Sequence, residues 1–328
     1  MNKVLLLGGG RMIGPPLVEI LTGNKNEVTV VNRNSPPKMG NTKYISGNRS
    51  DKNFINHLRE IPFDIVIDLS CYEPEDVFIS LEAFCDRVKS YFLMSTGLVY
   101  LHDGIYPYSE NHLRGENRQG GLYAKRKLEN EEIAKTFSNR VNIILLRAPY
   151  LVGDPDFMNR LQFISNRLIE NKLIYIPGYG NSPFQILSPS EVARAINHLV
   201  FKSNTKSGFN PFNIGAVETI NSKGLVKLLA KYLRIEKFYM QSIFLEDVGL
   251  SNDNFSFTDL VFPFPDQTII LDDYKLRMTG FEYQVGLNKL IGDFSQKFTE
   301  FEANMSFPSF QAEVRASKLL NKREVLND

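Results

Sequence analysis

The sequence is short of the features that mark several classes of protein. Its 328 residues include two cysteines, Cys71 and Cys85, which excludes a disulfide-rich scaffold and a metal site built from several cysteines. No apolar run approaches the roughly 18–20 residues of a membrane-spanning helix. The first run, residues 4–7, is shorter than the core of a signal peptide. We therefore expect a cytoplasmic protein that does not associate with a membrane.

An excess of charge of one sign is also lacking. Lysine and arginine together number 38, aspartate and glutamate 37, and the formal net charge is +1. This balance argues against a surface that binds nucleic acid. The chain is 43% hydrophobic and 23% charged, which is ordinary for a globular protein, and its length is typical of about two domains.

The first half of the chain alternates short apolar runs with helical patterns. The apolar runs predict strands at residues 4–7, 28–31, 44–45, 65–68, 91–94 and 141–146. Helices are predicted to begin near Gly14, Glu73 and Leu122, the last continuing to Phe137. The alternation predicts an α/β fold, a Rossmann-type doubly wound parallel sheet with right-handed crossovers.

The second half loses this rhythm, because glycine and proline separate its apolar pieces. We place a boundary near residues 149–153, with a dinucleotide-binding domain over 1–150 and a smaller, mainly substrate-binding domain with C-terminal helices over 151–328. Amphipathic helices are predicted at 190–200 and 222–233 and a strand at 212–214, so segments near 186–216 are expected to return to the first domain. A last amphipathic pattern, from Phe310 to Val325, predicts a helix that covers the chain's own surface or a subunit contact.

The glycine-rich segment at residues 8–14 follows the first strand and opens the first helix. In that setting glycines allow a tight turn and a close approach to the backbone, and the helix N-terminus offers N–H groups to a pyrophosphate. A generic strand-to-helix turn is the alternative.

The end of the second strand bears on the choice of cofactor. NAD sites usually offer a carboxylate there, whereas this chain offers Asn32 and Arg33. Arg33, with Arg11 on the loop, is suited to a 2′-phosphate, so we favour NADP(H) over NAD(H). The alternative is an NAD site that lacks the usual carboxylate, with both arginines solvated on the surface.

Tyr123 and Lys127 are four residues apart in a helical pattern, so they share one helix face. A neighbouring ammonium favours the phenolate, and we expect it to make Tyr123 a usable acid or base near neutral pH. Thr96 follows the fifth predicted strand, at the edge where doubly wound sheets bind ligands.

Together these motifs resemble the extended branch of the short-chain dehydrogenase/reductase superfamily, which includes nucleotide-sugar epimerases and dehydratases. The resemblance covers roughly residues 1–300. It is carried by the glycine loop, Ser95-Thr96-Gly97-Leu98-Val99-Tyr100, Tyr123 with Lys127, Leu146-Arg147-Ala148-Pro149 with Val152-Gly153, Glu191-Val192-Ala193-Arg194-Ala195-Ile196, and Phe212-Asn213-Ile214-Gly215.

The resemblance implies a role for each member of the site. Thr96 would hydrogen-bond the reacting oxygen, Tyr123 would exchange the proton, and Lys127 would hold the nicotinamide ribose and lower the tyrosine pKa. The expected cofactor-binding residues are Gly8, Gly10, Arg11, Met12, Ile13, Gly14, Asn32, Arg33, Leu69, Ser70, Tyr123, Lys127 and Pro149. No metal ligands are expected.

Three departures from the family pattern bear on the sub-branch, the reaction and the substrate that the resemblance implies. Arg11 stands where the family loop usually has its middle glycine, as in an atypical sub-branch that includes chloroplast proteins reported as RNA-binding. Gly97 and Leu98 follow Thr96 where 4,6-dehydratases have an acid and a base. Apolar residues, Phe184 and the stretch 262–264, stand where nucleotide-sugar enzymes usually place arginines, which predicts a smaller or more apolar substrate.

The leading hypothesis is an NAD(P)-dependent oxidoreductase acting on a carbonyl or secondary alcohol of a small metabolite, as a homodimer. One alternative is a nucleotide-sugar epimerase that works through a transient ketone. A second is a non-catalytic nucleic-acid-binding or regulatory protein on the same fold. We expect surface or supporting roles for His102 and His112, and an inert buried thiol at Cys71.

Overall fold

A seven-stranded parallel sheet forms the centre of the computed structural model, which describes residues 1–34, 42–116, 120–153, 158–202, 207–244 and 262–300. The strands, in chain order, are β1 (Lys3–Leu7), β2 (Glu27–Asn32), β3 (Lys43–Ser46), β4 (Ile65–Asp68), β5 (Ser90–Thr96), β6 (Asn142–Ala148), β7 (Tyr150–Leu151), β8 (Ile174–Pro177), β9 (Ile186–Leu187), β10 (Gly208–Asn213) and β11 (Met240–Ile243). The sheet order is β10-β6-β5-β4-β1-β2-β3. The Rossmann-type α/β fold is thereby confirmed.

The order of the strands creates a switch point between β1 and β4. From β1 the chain builds outward through β2 to β3, then crosses to β4 and builds the other way through β5 and β6. Doubly wound sheets bind their ligands at such a point, at the carboxyl ends of the strands. The glycine segment at residues 8–14 leaves β1 at this point.

Helices cover the sheet and account for the buried strands. They are α1 (Gly14–Gly23), α2 (Lys52–Leu58), α3 (Pro74–Phe84), α4 (Gly121–Thr136), α5 (Arg160–Ile169), α6 (Pro189–Lys202), α7 (Ser222–Tyr232), α8 (Tyr274–Arg277) and α9 (Leu287–Glu300). Helix α1 packs against α6 and α3 against α4. Strands β5 and β6 are buried throughout, and their apolar centres suit a parallel sheet that is covered on both faces.

The described residues bury two hydrophobic clusters. The first contains the sheet and the helices on it, including residues of α6, so the second half of the chain contributes to it. The second cluster is built mainly from the later segments and includes Tyr150, Phe184 and Phe264. β10 adds to the sheet beside β6, in the register Gly208 to Asn142. The division of the chain into two domains stays a prediction.

The amphipathic pattern between Phe310 and Val325 lies outside the described residues. Within them, no helix is long and apolar enough to cross a membrane. The same residues hold no cluster of three or more histidine, cysteine or acidic side chains that is suited to a metal ion.

Candidate active site

The glycine loop is folded so tightly that two of its positions exclude a side chain. A Cβ at Gly14 would lie 2.3 Å from the carbonyl carbon of Gly9, because the start of α1 turns back onto the end of β1. Gly8 has φ +89°, and a Cβ there would lie 2.5 Å from that of Ser70 on the neighbouring strand end. This bare backbone is what a pyrophosphate needs for close approach, and the first turn of α1 contains no acidic residue that would repel it.

The end of β2 borders the same loop. A Cβ at Gly10 would lie 3.2 Å from Nδ2 of Asn32, so this amide stands against the loop. Nδ2 is buried and has no hydrogen-bond partner among the described residues. An orphaned donor beside a glycine cradle fits a nucleotide that brings an acceptor oxygen. Arg11 and Arg33 are both exposed here.

The remaining expected cofactor residues lie on the same edge of the sheet. Met12, with φ 51°, and the buried Ile13 complete the loop. Leu69 and Ser70 follow β4, beside β1, and Pro149 is a buried residue that follows β6. The fold therefore brings the predicted positions to one edge of the sheet, although their roles stay predictions.

A buried ion pair that the sequence analysis missed supports this edge. Asp68, fully buried at the end of β4, accepts hydrogen bonds from both terminal nitrogens of Arg49, with 2.6 Å from Nη2 to Oδ2. It also accepts from Oη of Tyr91 at 2.9 Å and from the backbone N–H of Ser70 at 3.1 Å. Arg49 donates in addition to Oγ of Ser70 at 3.1 Å, so the pair fixes the residue that faces Gly8.

The electrostatics of this pair follow from burial. Burial lowers the pKa of Arg49, but the adjacent carboxylate of Asp68 outweighs it, so the net pKa is raised and the guanidinium stays charged. Burial raises the pKa of Tyr91 well above its ordinary value, and Asp68 raises it further. The signal in the sequence was a lone acidic residue ending the apolar run 65–68.

Lys127 points its ammonium into the protein. The side chain is 3% exposed, and Nζ donates to the carbonyl oxygens of Cys71 at 2.9 Å and Met94 at 2.8 Å. A third contact joins Nζ to Sγ of Cys71 at 3.2 Å. Burial lowers the pKa of Lys127, but contributions led by Cys71 and Tyr123 outweigh this and leave the pKa raised. The ammonium therefore ties α4 to the ends of β4 and β5.

Tyr123 lies one turn before Lys127 and is half-buried. Its ring centroid is 5.8 Å from Nζ of Lys127. Burial raises the pKa of Tyr123, and the ammonium of Lys127 lowers it by less, so the net pKa is above its ordinary value. Lys127 therefore acts on this pKa in the expected direction, but the net pKa is not brought toward neutrality in this structure, because desolvation dominates. At neutral pH Tyr123 is a protonated phenol, able to donate.

Thr96 ends β5, two residues beyond the carbonyl of Met94 that Lys127 binds. Its side chain is buried, and Oγ1 accepts a hydrogen bond from the N–H of Leu98 at 3.3 Å. The threonine caps a short 3₁₀ helix at Gly97–Val99. The hydroxyl proton is still available to a ligand oxygen, since Oγ1 acts as the acceptor in that bond.

A second buried network, also unpredicted, holds α4 against β5 and β6. Glu131 is fully buried and accepts from Oγ of Ser95 at 2.5 Å and from Nη1 of Arg114 at 2.6 Å. Arg147 on β6 donates to both of its oxygens, at 3.0 and 2.7 Å. Arg147 also donates to Oη of Tyr100 at 2.8 Å. The network fixes the helix that carries Tyr123 and Lys127.

Aromatic residues occupy the two positions where nucleotide-sugar enzymes usually carry arginines. Phe184 and Phe264 are stacked with ring centroids 4.8 Å apart, and Tyr150 meets Phe264 edge-on at 5.3 Å. Phe262 is fully buried beside them. The guanidinium of Arg160 lies 5.7 Å from the ring centroid of Phe264. Lys172, a cation that could have substituted, is exposed and pairs with Glu170 at 2.7 Å.

The two histidines between Thr96 and Tyr123 belong to a loop cluster of rings. His102 is exposed and contacts Oη of Tyr106 at 2.8 Å. His112 is half-buried, 3.2 Å from Asp103 and packed on the ring of Tyr108 at 4.6 Å. Their contacts lie within the loop, which accords with supporting rather than chemical roles.

Two solved structures of similar fold are named for reactions of nucleotide sugars. UDP-glucose 4-epimerase from Thermotoga maritima, solved with UDP-glucose, superposes with a TM-score of 0.73 at 19% identity, covering 92% of this chain and 100% of that one. dTDP-glucose 4,6-dehydratase from Bacillus anthracis, solved with NAD, gives 0.74 at 13% identity, covering 92% and 98%. At these identities the likeness concerns the fold.

A relative found by sequence similarity is named for binding and not for an enzymatic reaction. The chain is 27% identical over 247 residues to the chloroplast stem-loop binding protein of 41 kDa b from Arabidopsis thaliana. The match covers 70% of this chain and 63% of the relative, so it spans less than two thirds of the relative's length.

The family assignment rests on the sequence model for the NAD dependent epimerase/dehydratase family. It matches residues 4–215, which is more than half of the chain and includes the glycine loop, Thr96, Tyr123 and Lys127. The fold and the edge of the sheet described above agree with the match. The chain therefore belongs to the NAD dependent epimerase/dehydratase family.

Proposed function

We propose that this protein is an NAD(P)-dependent oxidoreductase that acts on a carbonyl or secondary alcohol of a small metabolite. The observation that carries the proposal is the placement of Tyr123 and Lys127 on one helix, tied by Nζ of Lys127 to the ends of β4 and β5. The glycine loop leaves β1 at the same edge. Family membership supports a nicotinamide cofactor.

The chain's own residues would position a substrate oxygen and move one proton. Thr96 would donate a hydrogen bond to that oxygen, and Tyr123, a phenol whose pKa burial raises further above neutrality, would give it the proton. The buried ammonium of Lys127 would favour the phenolate that remains. The nicotinamide, when bound, supplies or accepts the hydride.

The cofactor we favour is NADP(H). Asn32 stands at the end of β2 without a carboxylate, and Arg33 beside it is exposed. Two solved neighbours, from Bordetella bronchiseptica and Bacillus anthracis, hold NAD, so the family supports a nicotinamide cofactor without favouring the phosphate. The preference for NADP(H) rests on Arg33 and Arg11 alone.

The substrate we favour is smaller or more apolar than a nucleotide sugar. A diphosphate placed against the stacked rings of Phe184 and Phe264 would be desolvated beside Arg160, whose guanidinium lies 5.7 Å from the ring centroid of Phe264, and without the two arginines that nucleotide-sugar enzymes usually carry at these positions. Calorimetric titration of UDP, dTDP and their glucose conjugates into the cofactor-loaded protein tests this. Micromolar binding of any of them would favour the epimerase instead.

The proton role of Tyr123 has a direct test. Tyr123→Phe is expected to lower turnover at least a hundredfold, in line with the roughly 10²–10⁴-fold of general acid–base catalysis, while cofactor affinity changes little. Lys127→Ala is expected to weaken both. Single-turnover kinetics and cofactor titration, on a substrate found by screening carbonyl compounds, separate the two effects. Near-normal turnover by Tyr123→Phe would contradict the assignment.

The cofactor preference is tested by titrating NADPH and NADH into the same preparation. Arg33→Ala is expected to weaken NADPH binding by about tenfold or more, since a charge-assisted hydrogen bond contributes roughly 1.5–3 kcal/mol. NADH binding should be unchanged. Lys25→Ala, which removes an exposed cation beyond the far end of α1, is the matched control. Tighter NADH binding that Arg33→Ala leaves unaffected would reject the preference.

Binding of a structured RNA is the second candidate function. The observation in its favour is the similarity to the chloroplast relative, which is a stem-loop binding protein. The near-neutral charge argues against it. Filter binding with a stem-loop RNA at two salt concentrations distinguishes the two functions, in parallel with cofactor titration. Micromolar RNA binding without nicotinamide binding would reverse the order of the two candidates.

A further inference from the structure

We propose that Cys71 is a positioning residue for Lys127, a placeholder acceptor that the ammonium gives up when the cofactor binds. The inference rests on the proposed function, because it concerns how Lys127 becomes available to a nicotinamide ribose. It assigns a task to a thiol that the sequence analysis treated as inert.

The ammonium of Lys127 makes as many hydrogen bonds within the protein as it has donors. An ammonium has three N–H donors. In this structure Nζ of Lys127 has three protein acceptors, the carbonyl oxygens of Cys71 and Met94 and the sulfur of Cys71, at 2.9, 2.8 and 3.2 Å. All three donors are therefore engaged inside the protein. A new bond to a ribose hydroxyl requires one of them to be released.

Of the three acceptors of Lys127, the sulfur of Cys71 is the one that the ammonium gives up most easily. The carbonyl of Met94 belongs to β5, where the pairing of Met94 with Leu146 of β6 holds it in place. The carbonyl of Cys71, three residues beyond β4, is held by a hydrogen bond from Nδ2 of Asn130 at 2.8 Å. The sulfur is the weakest acceptor of the three, since thiols accept hydrogen bonds poorly. Releasing the contact to Sγ therefore costs least, and it leaves the thiol its own S–H bond to Met94 O at 2.9 Å.

The thiol of Cys71 is shielded from solvent. Cys71 is fully buried, and burial raises its pKa, with the ammonium of Lys127 lowering it by less. It therefore remains a neutral thiol, which solvent does not reach. The ammonium meanwhile lies 5.3 Å from the ring centroid of the exposed Tyr72 and 5.8 Å from that of Tyr123. A small rotation of the lysine end would direct one N–H toward these rings.

Substitutions at residue 71 should change cofactor affinity in a defined order. Cys71→Ala removes the competing acceptor, so the protein without cofactor loses stability and its affinity for the cofactor rises. Cys71→Ser replaces sulfur by a stronger acceptor, so affinity falls. Each step is expected to be roughly two- to tenfold in Kd, the range that one hydrogen bond gives. A merely structural thiol would not produce opposite signs for alanine and serine.

The experiment measures Kd for NADPH and NADH by calorimetry, and Tm with and without cofactor, for the full chain and both variants. Cys85→Ala is the matched control, since Cys85 is also buried in the first core cluster and does not contact Lys127. Equal affinities for wild type, alanine and serine variants would overturn the inference. If the wild-type protein binds neither cofactor, the proposed function itself fails.

A second measurement does not depend on the stability of any variant. Because the chain has two cysteines, labelling with ¹³Cβ-cysteine gives two NMR signals. Addition of the preferred cofactor should shift the Cys71 signal and leave the Cys85 signal in place, as the N–H···S contact is lost. An unmoved Cys71 signal in the cofactor-saturated protein would contradict the exchange.

Discussion

Single residues of this protein tolerate change very unevenly, and two glycines of α1 show why. Gly14 begins the helix where its missing Cβ leaves 2.3 Å to the carbonyl carbon of Gly9, whereas a Cβ at Gly23, at the other end, meets nothing within 4 Å. Their difference lies in backbone approach, because neither has a left-handed φ. The first glycine keeps the loop close to β1, and the second is free to vary.

We expect Gly14→Ala to abolish cofactor binding and to lower the unfolding free energy by several kcal/mol, on the order of 3, since backbone must move to admit the methyl group. Gly23→Ala is expected to be neutral or to stabilise α1 by up to about 1 kcal/mol. Urea unfolding and cofactor titration of the two variants make the comparison. If Gly14→Ala kept the cofactor affinity of the wild type, the proposal that the glycine loop binds the cofactor would be contradicted.

At the scale of elements, α4 is held in place by buried polar side chains more than by an apolar stripe. Lys127 and Asn130 reach the end of β4, and Glu131 reaches Ser95 of β5 and Arg147 of β6. Each bond is made by a residue whose partner is far away in sequence. The helix therefore presents Tyr123 at a defined place only when the network is complete.

Glu131→Gln is expected to lower the unfolding free energy by about 3–5 kcal/mol, because it leaves the buried guanidinium of Arg147 without its counter-charge. Glu132→Gln is the matched control. The carboxylate of Glu132 pairs at 2.7 Å with Arg114, which also pairs with Glu131, but the Glu132 side chain is 53% exposed. Its loss is therefore expected to lower the unfolding free energy by only about 0–1 kcal/mol. Urea denaturation of both variants tests the difference. A cost below 1 kcal/mol for Glu131→Gln would show that the network does not hold the helix.

The elements that the sequence predicted well are those whose signal is local. The apolar runs gave the strands β1, β2, β4, β5 and β6 to within two residues at either end, and the glycine segment gave the start of α1. Helix α2 was missed, although Asp51 caps it by accepting from the N–H of Asn53 at 2.9 Å. The short strand pairs β7 with β9 and β8 with β11 were missed too, since they form between segments distant in sequence.

The candidate site divides in the same way. Thr96, Tyr123 and Lys127 could be named from spacing and family resemblance, because their roles depend on residue type. One sequence could not predict which residues meet in the buried contacts, because the sheet brings together side chains that are distant in sequence. These contacts are those of Lys127 with Cys71, Arg49 with Asp68, and Glu131 with Arg147. The direction of the Tyr123 pKa was missed for the same reason, since it depends on burial.

At the scale of the whole molecule, the sheet and the second cluster meet around the candidate site. Tyr123 packs against the second cluster, while Lys127, one turn later, bonds to strand ends of the first. The homodimer stays a proposal, which sedimentation of the purified protein tests.

The two clusters also bury ionisable tyrosines, and this sets how stability responds to alkali. Tyr91, Tyr100, Tyr108 and Tyr150 are each at most 6% exposed. Burial raises the pKa of all four above the ordinary value of about 10, for Tyr100 to about 12. Above pH 10 the unfolded chain therefore releases protons that the folded chain retains. Stability must then fall as pH rises, with the loss beginning near pH 10.

We expect the Tm to be steady below about pH 9 and to drop steeply between roughly pH 10 and 12, since each retained proton contributes up to about 1.4 kcal/mol per pH unit. Circular dichroism melts across this range, with phenolate absorbance followed in parallel, measure the effect. Tyr150→Phe should make the fall of stability with pH less steep, by the contribution of about one proton. Near neutral pH it should lower the unfolding free energy little, because the Tyr150 hydroxyl has no hydrogen-bond partner among the described residues. Tyr179→Phe, at a position 67% exposed, is the matched control and should leave the slope unchanged. Full ionisation of all fourteen tyrosines while the protein remains folded would show that burial does not govern their pKa.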